Sequence, residues 1–483
     1  MAASGTSGGT SCPPTLANPS SWHMPPSPLQ LLLERATAIE EELAQGEDKP
    51  FTEVTHCHSG DAVATGHQPL TFLQQVAAIC AYPQLLDDEC VPADAKRRAG
   101  QILQHLQGGS PGAYNLEYVT STVATKVARY LEQRDGGIPS DPRCIVPLQR
   151  HRGGRGGRGV AGGGRGGGAA HGGAGASAGP PSPWGGRGAG GGPWPCRTRW
   201  PRSGAGPWPP RRCGGCCGGA RARCHPKVLC VVNPGDPTGH VLSRQNMEEI
   251  IRLAAEENLL LLADEVQQER AFLPGRPFLS FKRVLWEMGA PLASTVQLIS
   301  FYSLSKGVGG GGYRAGFFEL VNIDPRVLRC FYTGVTDHDP AEGGGCVAYP
   351  HPHPLHPRLS PSPQHRQALR QDLAHNARRV QEVLGRAPGI HLQPLHGGAR
   401  AFPRIQLPPR ALCQARAQGL EPDVFFCQKL LEATGLVVAP GSEFGQEGGT
   451  HHVGLSLLPP AEALERGLLA LTRFHAAFLR EFS

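Results

Sequence analysis

The sequence predicts an α/β fold with a smaller α+β domain, and three observations carry that prediction. Residues 227–266 read as strand "KVLCVVNP", turn "GDPTG", helix "SRQNMEEIIRLAAEEN" and strand "LLLLADEV". This is a βαβ unit, whose crossover connection suits a parallel sheet. A further β-branched and aromatic run, "LISFYS", leads into the glycine-rich turn "LSKGVGGGGYRAG". The C-terminal third then mixes short strands and helices, as a small α+β domain does.

In chain order, "LQLLLERATAIEEELAQ" at 29–45 reads as an amphipathic helix stopped by Gly46. "DAKRRAGQILQHLQGG" is a second helix ended by paired glycines, and "VATKVARYLEQRDGG" a third. A short strand-like run, "DPRCIVP", follows. Near the other end, "HRQALRQDLAHNARRVQEVL" places Leu369, Leu373, Val380 and Leu384 along one side of a helix. The expected organisation is a tail at 1–28, a helix and arm at 29–65, a large domain at 66–325 and a small domain at 326–483. The large domain is interrupted at 147–226, and 331–365 is irregular.

The 483 residues are enough for one large and one small domain. The net charge of +7 misleads, because thirteen arginines lie between Arg150 and Arg223 while 147–226 holds no Asp or Glu. The rest of the chain is slightly acidic. The first thirty residues lack both the apolar core of a signal peptide and the arginines of a mitochondrial presequence, so a cytoplasmic location is expected. No apolar run approaches the roughly 18–20 residues that cross a bilayer, and no membrane partner is expected. Fifteen cysteines, an odd number, suggest reduced thiols.

Residues 150–224 are mostly Gly, Arg, Pro and Ala without a periodic apolar face, and disorder is expected of them. Taken at face value, "RGGRGGRG" is a composition that binds RNA, with arginines for phosphate and tryptophans for stacking. Interrupting a domain rather than forming a tail, it reads better as a compositional accident. "CGGCC" with Cys224 and His225 is too irregular in spacing for zinc, and no metal is expected.

The chemistry concentrates around three residues. Asp264 ends an apolar strand, and the carboxyl ends of parallel strands are where α/β sheets place ligands. Lys306 sits in a tight polar turn after Ser303, and Arg314 follows. A lysine in such a turn can form a Schiff base, an aspartate can hold a pyridine nitrogen protonated, and an arginine can clamp a phosphate. Those are the needs of pyridoxal 5'-phosphate.

With these motifs in view, the chain resembles the alanine aminotransferases, class-I pyridoxal-phosphate-dependent aminotransferases. "NPGDPTG" resembles the family's NPGNPTG, "LLADEVQQ" its LLADEVYQ, and "SLSKG" with "GYRAG" its lysine motif. "ARYLEQRDGGIPSDP", "LEATGLVVAPGSEFGQ" and "LTRFHAAFLREFS" match as well. The resemblance implies the fold-type-I aminotransferase fold: a mostly parallel sheet with flanking helices and a small α+β domain. It implies transfer of an amino group between L-alanine and 2-oxoglutarate, and a homodimer. By position, Lys306 carries the cofactor and acts as base, Asp264 faces the pyridine nitrogen, and Ser303 and Arg314 hold the phosphate. Gly60 lies near the substrate carboxylate.

The departures are as specific. Asp236 stands where the family has an asparagine that donates to the cofactor's phenolate oxygen, so a carboxylate there meets like charge. Gln267 replaces a tyrosine that donates to the same oxygen. Gly454 falls where the family's HFRMTILP carries the arginine that binds the substrate α-carboxylate, leaving His451 and His452 as weak substitutes. An arginine installed at 454 is expected to improve kcat/KM for alanine. Residues 147–226 lack the family's Gly-Ala-Ser turn and stacked aromatic residue at the family's length, as a shifted reading frame would produce. These departures leave a catalytically impaired family member as the alternative function, and an RNA-binding protein as a third.

Overall fold

The computed structural model describes residues 27–59, 61, 63, 65–67, 71–111, 122–149, 227–303, 306, 315–328, 363–446 and 449–483. The N-terminal tail, the Arg/Gly stretch at 150–224, the "CGGCC" cluster and most of 331–365 lie outside them.

The central sheet has five described strands: β2 (Ile145–Gln149), β3 (Val228–Val232), β4 (Leu260–Asp264), β5 (Leu298–Ser303) and β6 (Ala315–Val321), in spatial order β2-β6-β5-β4-β3. Strands β3, β4 and β5 pair in parallel, whereas β6 is antiparallel to both β5 and β2. Four strands therefore point one way and β6 alone runs back. The reason is the connection: a parallel return needs a crossover of roughly a dozen or more residues, and β6 starts just beyond the glycine-rich turn. Gly316 is required in that return. A Cβ there would lie 2.6 Å from the Tyr302 carbonyl oxygen.

Helices α1 (Pro28–Ala44), α2 (Thr71–Ala81), α3 (Ala93–Leu103) and α4 (Ala124–Arg134) precede β2, and α5 (Arg244–Glu256) joins β3 to β4. Local signals set their ends. Ser27 caps α1 by accepting from the Gln30 amide at 3.2 Å, ahead of Pro28. Ser243 and Asn246 form a reciprocal capping box on α5. With α6 (Phe281–Glu287) and α7 (Leu292–Thr295) following, α5 and α6 cover Leu229, Val231, Leu261, Ala263 and Leu298 on one face of the sheet. Helix α4 covers Ile145, Tyr302 and Phe317 on the same face. On the opposite face Val146, Ile299, Phe318 and Leu320 pack with Ile323 and Leu328. The helical residues 325–328, which carry Leu328, lie on this second face.

The C-terminal part contains α8 (Pro363–Leu384), α9 (Pro409–Ala417), α10 (Pro422–Thr434) and α11 (Ala461–Phe482). Leu369, Leu373, Val380 and Leu384 of α8 are buried, as their spacing requires. Leu32, Ala36 and Ile39 of α1 join the same apolar core as Phe425, Phe426, Leu468 and Phe478. The N-terminal helix therefore packs with the C-terminal third. Strand β1 (Thr55–His56) extends this union by pairing in parallel with β10 (Leu436–Val437). Two further short pairs complete the part: β7 (Ile390–His391) with β9 (Arg404–Ile405), and the sheet β11-β12-β8 made of Ala439–Pro440, Val453–Ser456 and Arg400–Ala401. Gly435, at φ +69°, turns α10 into β10 where a Cβ would lie 2.6 Å from the Phe51 ring.

Candidate active site

The parallel strands end together. Asp264 is the last residue of β4, paired with Val232 of β3 and Phe301 of β5, and Ser303 closes β5 opposite Gly316. Lys306 lies just past this edge, and its positive charge acts on Asp264. Burial raises the Asp264 carboxyl above its ordinary pKa, while the Val266 amide, donating at 3.3 Å, pulls it down. A carboxylate so placed gains from a cationic N–H partner. Lys306, Asp264 and Ser303 are thus gathered at one sheet edge; Arg314 and Gly60 lie outside the described residues.

Asp236 and Gln267 are in direct contact, with Gln267 Nε2 donating to Asp236 Oδ2 at 2.7 Å. Their surroundings are cationic, which the sequence did not disclose. Arg400 Nη1 stands 3.8 Å from Asp236 Oδ1. Arg270, only 1% exposed, reaches Gln267 Oε1 at 3.5 Å, and burial lowers its guanidinium to about 10 even though Asp236 favours the charge. Two arginines around one carboxylate reverse the like-charge problem that Asp236 posed.

Gly454 occupies the middle of a small sheet. It pairs with Ala439, and a Cβ on it would stand 2.9 Å from Phe444 Cε2 and 3.4 Å from the Ala439 Cβ. The ring of Phe444 therefore fills the space where a side chain at 454 would begin. Phe444 meets Phe402 edge-on at 5.5 Å, and the Arg400 guanidinium lies over the Phe444 ring at 5.1 Å from its centre. His452 is stacked on Phe402 at 4.6 Å and its amide donates to Gln446 Oε1. Burial, with Arg404 next, lowers His452 to about 4, and burial lowers His451 as well. Both histidines are neutral near pH 7, so neither supplies the cation that a carboxylate requires.

This geometry replaces the expectation for position 454. Gly454→Arg must displace a wedged aromatic ring and bring a second guanidinium beside Arg400, so no gain in kcat/KM for alanine is expected. Gly454→Ala alone is expected to cost about 1–3 kcal/mol by overpacking. Urea unfolding midpoints of the two variants check this; a wild-type midpoint in both would show that Phe444 yields freely.

The edge also carries buried polar atoms without hydrogen-bond partners: Asn233 Nδ2, Asp236 Oδ1 and Arg270 Nε. Such atoms cost free energy unless a ligand or water satisfies them. With a burial-raised carboxyl, a lysine and a hydroxyl at one strand edge, they fit pyridoxal phosphate. Among the described residues no cluster of three or more His, Cys, Asp or Glu could hold a metal ion. No described helix is long and apolar enough to cross a membrane. An open cleft lined by Tyr130, Arg134, Phe278 and Arg370 lies elsewhere and contains none of the residues above.

Comparison with known proteins bears on this site. The family described as aminotransferase class I and II matches residues 219–457. The chain is 40% identical to alanine aminotransferase 1 of Homo sapiens over 469 residues, spanning 94% of this chain and 92% of that protein. It is also 40% identical to alanine aminotransferase 2 of Xenopus tropicalis, over 93% of this chain and 86% of that one. Among solved structures, an alanine aminotransferase from Pyrococcus furiosus superposes with a TM-score of 0.64 at 16% identity, covering 95% of this chain and all of the other. A Thermus thermophilus aspartate aminotransferase does so with 0.61 at 17%, covering 95% and 99%. At those identities the structural likeness speaks for the fold alone, which is that of the fold-type-I aminotransferases.

Proposed function

The chain belongs to the class I and II aminotransferases, and from that premise we propose that it transfers the amino group between L-alanine and 2-oxoglutarate, giving pyruvate and L-glutamate. It is a pyridoxal-phosphate-dependent enzyme. The observation that carries the substrate assignment is the 40% identity to alanine aminotransferases along nearly the whole chain.

The residues divide the work by position. When bound, pyridoxal phosphate supplies an aldehyde that captures the amine and a ring that withdraws electrons from the substrate Cα. Lys306 would hold it covalently, and its amine would serve as the base that moves the proton at the substrate Cα. Asp264 would keep the ring nitrogen protonated; its burial makes that pairing strong because an unpaired buried carboxylate is costly. Ser303 would hold the phosphate, together with Arg314 by the family resemblance. Asp236 and Gln267 would face the phenolic oxygen, with Arg270 and Arg400 providing the positive charge that an anionic oxygen needs. Gly60, by the family resemblance, would approach the substrate carboxylate.

A cytoplasmic homodimer completes the proposal. It is supported by the family resemblance. Purified protein given pyridoxal phosphate, L-alanine and 2-oxoglutarate is expected to form pyruvate and glutamate in equal amounts, and to sediment at about twice 51.3 kDa. Glutamate formation from aspartate but not from alanine would overturn the substrate assignment.

A further inference from the structure

The geometry points to Arg400 as the residue that binds the substrate carboxylate, in place of the side chain that Gly454 lacks. This inference rests on reading the strand edge as an aminotransferase site. Arg400 lies on β8 directly opposite Ser456 of β12, and Ser456 and Gly454, two apart on one strand, share a face. Arg400 is therefore the diagonal cross-strand neighbour of position 454, at a spacing that a long side chain spans. Its guanidinium lies over Phe444, whose ring abuts the bare Cα of Gly454. A glycine at 454 makes room for that ring, and the ring makes a flat seat for the guanidinium.

The fork has donors to give. Arg400 Nη2 donates to the His58 carbonyl oxygen at 3.1 Å. Arg400 Nε has no hydrogen-bond partner although it is buried, and Nη1 reaches Asp236 Oδ1 only at 3.8 Å, an oxygen that itself lacks a hydrogen bond. A guanidinium with spare donors binds a carboxylate in a charge-assisted, bidentate manner. Arg270 is less suited, being enclosed behind Gln267 at 1% exposure, whereas the Arg400 side chain is 19% exposed. Asp236 is then a competitor for the fork, and the loose 3.8 Å contact is one that a substrate carboxylate displaces.

Calorimetric titration with pyruvate and with pyruvamide, its uncharged analogue, tests the assignment on the full chain with and without pyridoxal phosphate. Wild type is expected to prefer pyruvate by about 10- to 100-fold, Arg400→Ala to lose the preference, and Arg400→Lys to keep part of it. Asp236→Asn, which removes the competitor, is expected to tighten pyruvate binding several-fold, a gain that misfolding cannot imitate. An undiminished preference in Arg400→Ala overturns the inference, as does a wild type without preference. Should Arg400→Ala fail to fold, unchanged or weaker pyruvate binding in Asp236→Asn does the same. Borohydride reduction and peptide mapping of the same preparation separates the two readings. Arg400-dependent pyruvate binding without a label on Lys306 sinks the cofactor assignment and leaves this one standing.

Discussion

Lys306→Ala is expected to lower kcat/KM for alanine by at least about 10^4-fold, the upper range for loss of a positioned acid–base group, with loss of covalent catalysis added. The motivation is positional. Lys306 is just past the edge where β4 and β5 end, close enough for its charge to act on Asp264. Lys282, by contrast, is buried in an ion pair with Glu319 at 2.6 Å beneath the sheet, and its Nζ also donates to Ser140 Oγ at 2.7 Å. It cannot substitute for Lys306. The variant's unfolding midpoint, measured alongside, separates loss of the base from loss of folding. A stopped-flow half-reaction with L-alanine checks the loss; residual activity within tenfold of wild type would show that the base is another group.

Asp264→Ala carries the second-largest effect, on the order of 10^3-fold in kcat, comparable to removing one preorganised electrostatic partner from a reacting centre. Asp264 closes β4 with its carboxyl raised by burial, so the folded protein holds an anion at a cost that a protonated ring nitrogen offsets. Asp264→Asn keeps the volume but removes the charge, and should be nearly as inactive. It should also be more stable than wild type before cofactor is added, since the buried charge is gone. Steady-state assay with L-alanine reads the first effect, and differential scanning calorimetry without pyridoxal phosphate reads the second. An asparagine variant as active as wild type would remove Asp264 from the chemistry.

Much of this arrangement is legible in the sequence. The βαβ unit announces itself because two apolar strands flank a helix with a complete capping box, and local signals suffice there. The apolar stripe of α8 is legible for the same reason. Helix α2 escapes such a reading: it has no acidic residue in its first turn and no basic one in its last, only Leu73, Val76, Ile79 and Cys80 at helical spacing. The pairing of β1 with β10 is a contact between opposite ends of the chain that two residues per strand cannot encode locally. Arg400 and Arg270 are invisible for a related reason. An arginine in "GGARAFP" reads as surface charge until β12 is laid beside it and Phe444 beneath it. The sequence flagged Asp236 and Gly454 as defects because it showed the missing partners and not the new ones.

Attachment of the cofactor to Lys306, at the edge where β4 and β5 end, can be read directly. Wild-type protein is incubated with pyridoxal phosphate, reduced with borohydride and digested, and its peptides are mapped by mass. A single pyridoxyl group on Lys306 is the predicted result. A pyridoxyl group on Lys227 or Lys282 with Lys306 unmodified, or no label on any lysine, would contradict attachment at Lys306.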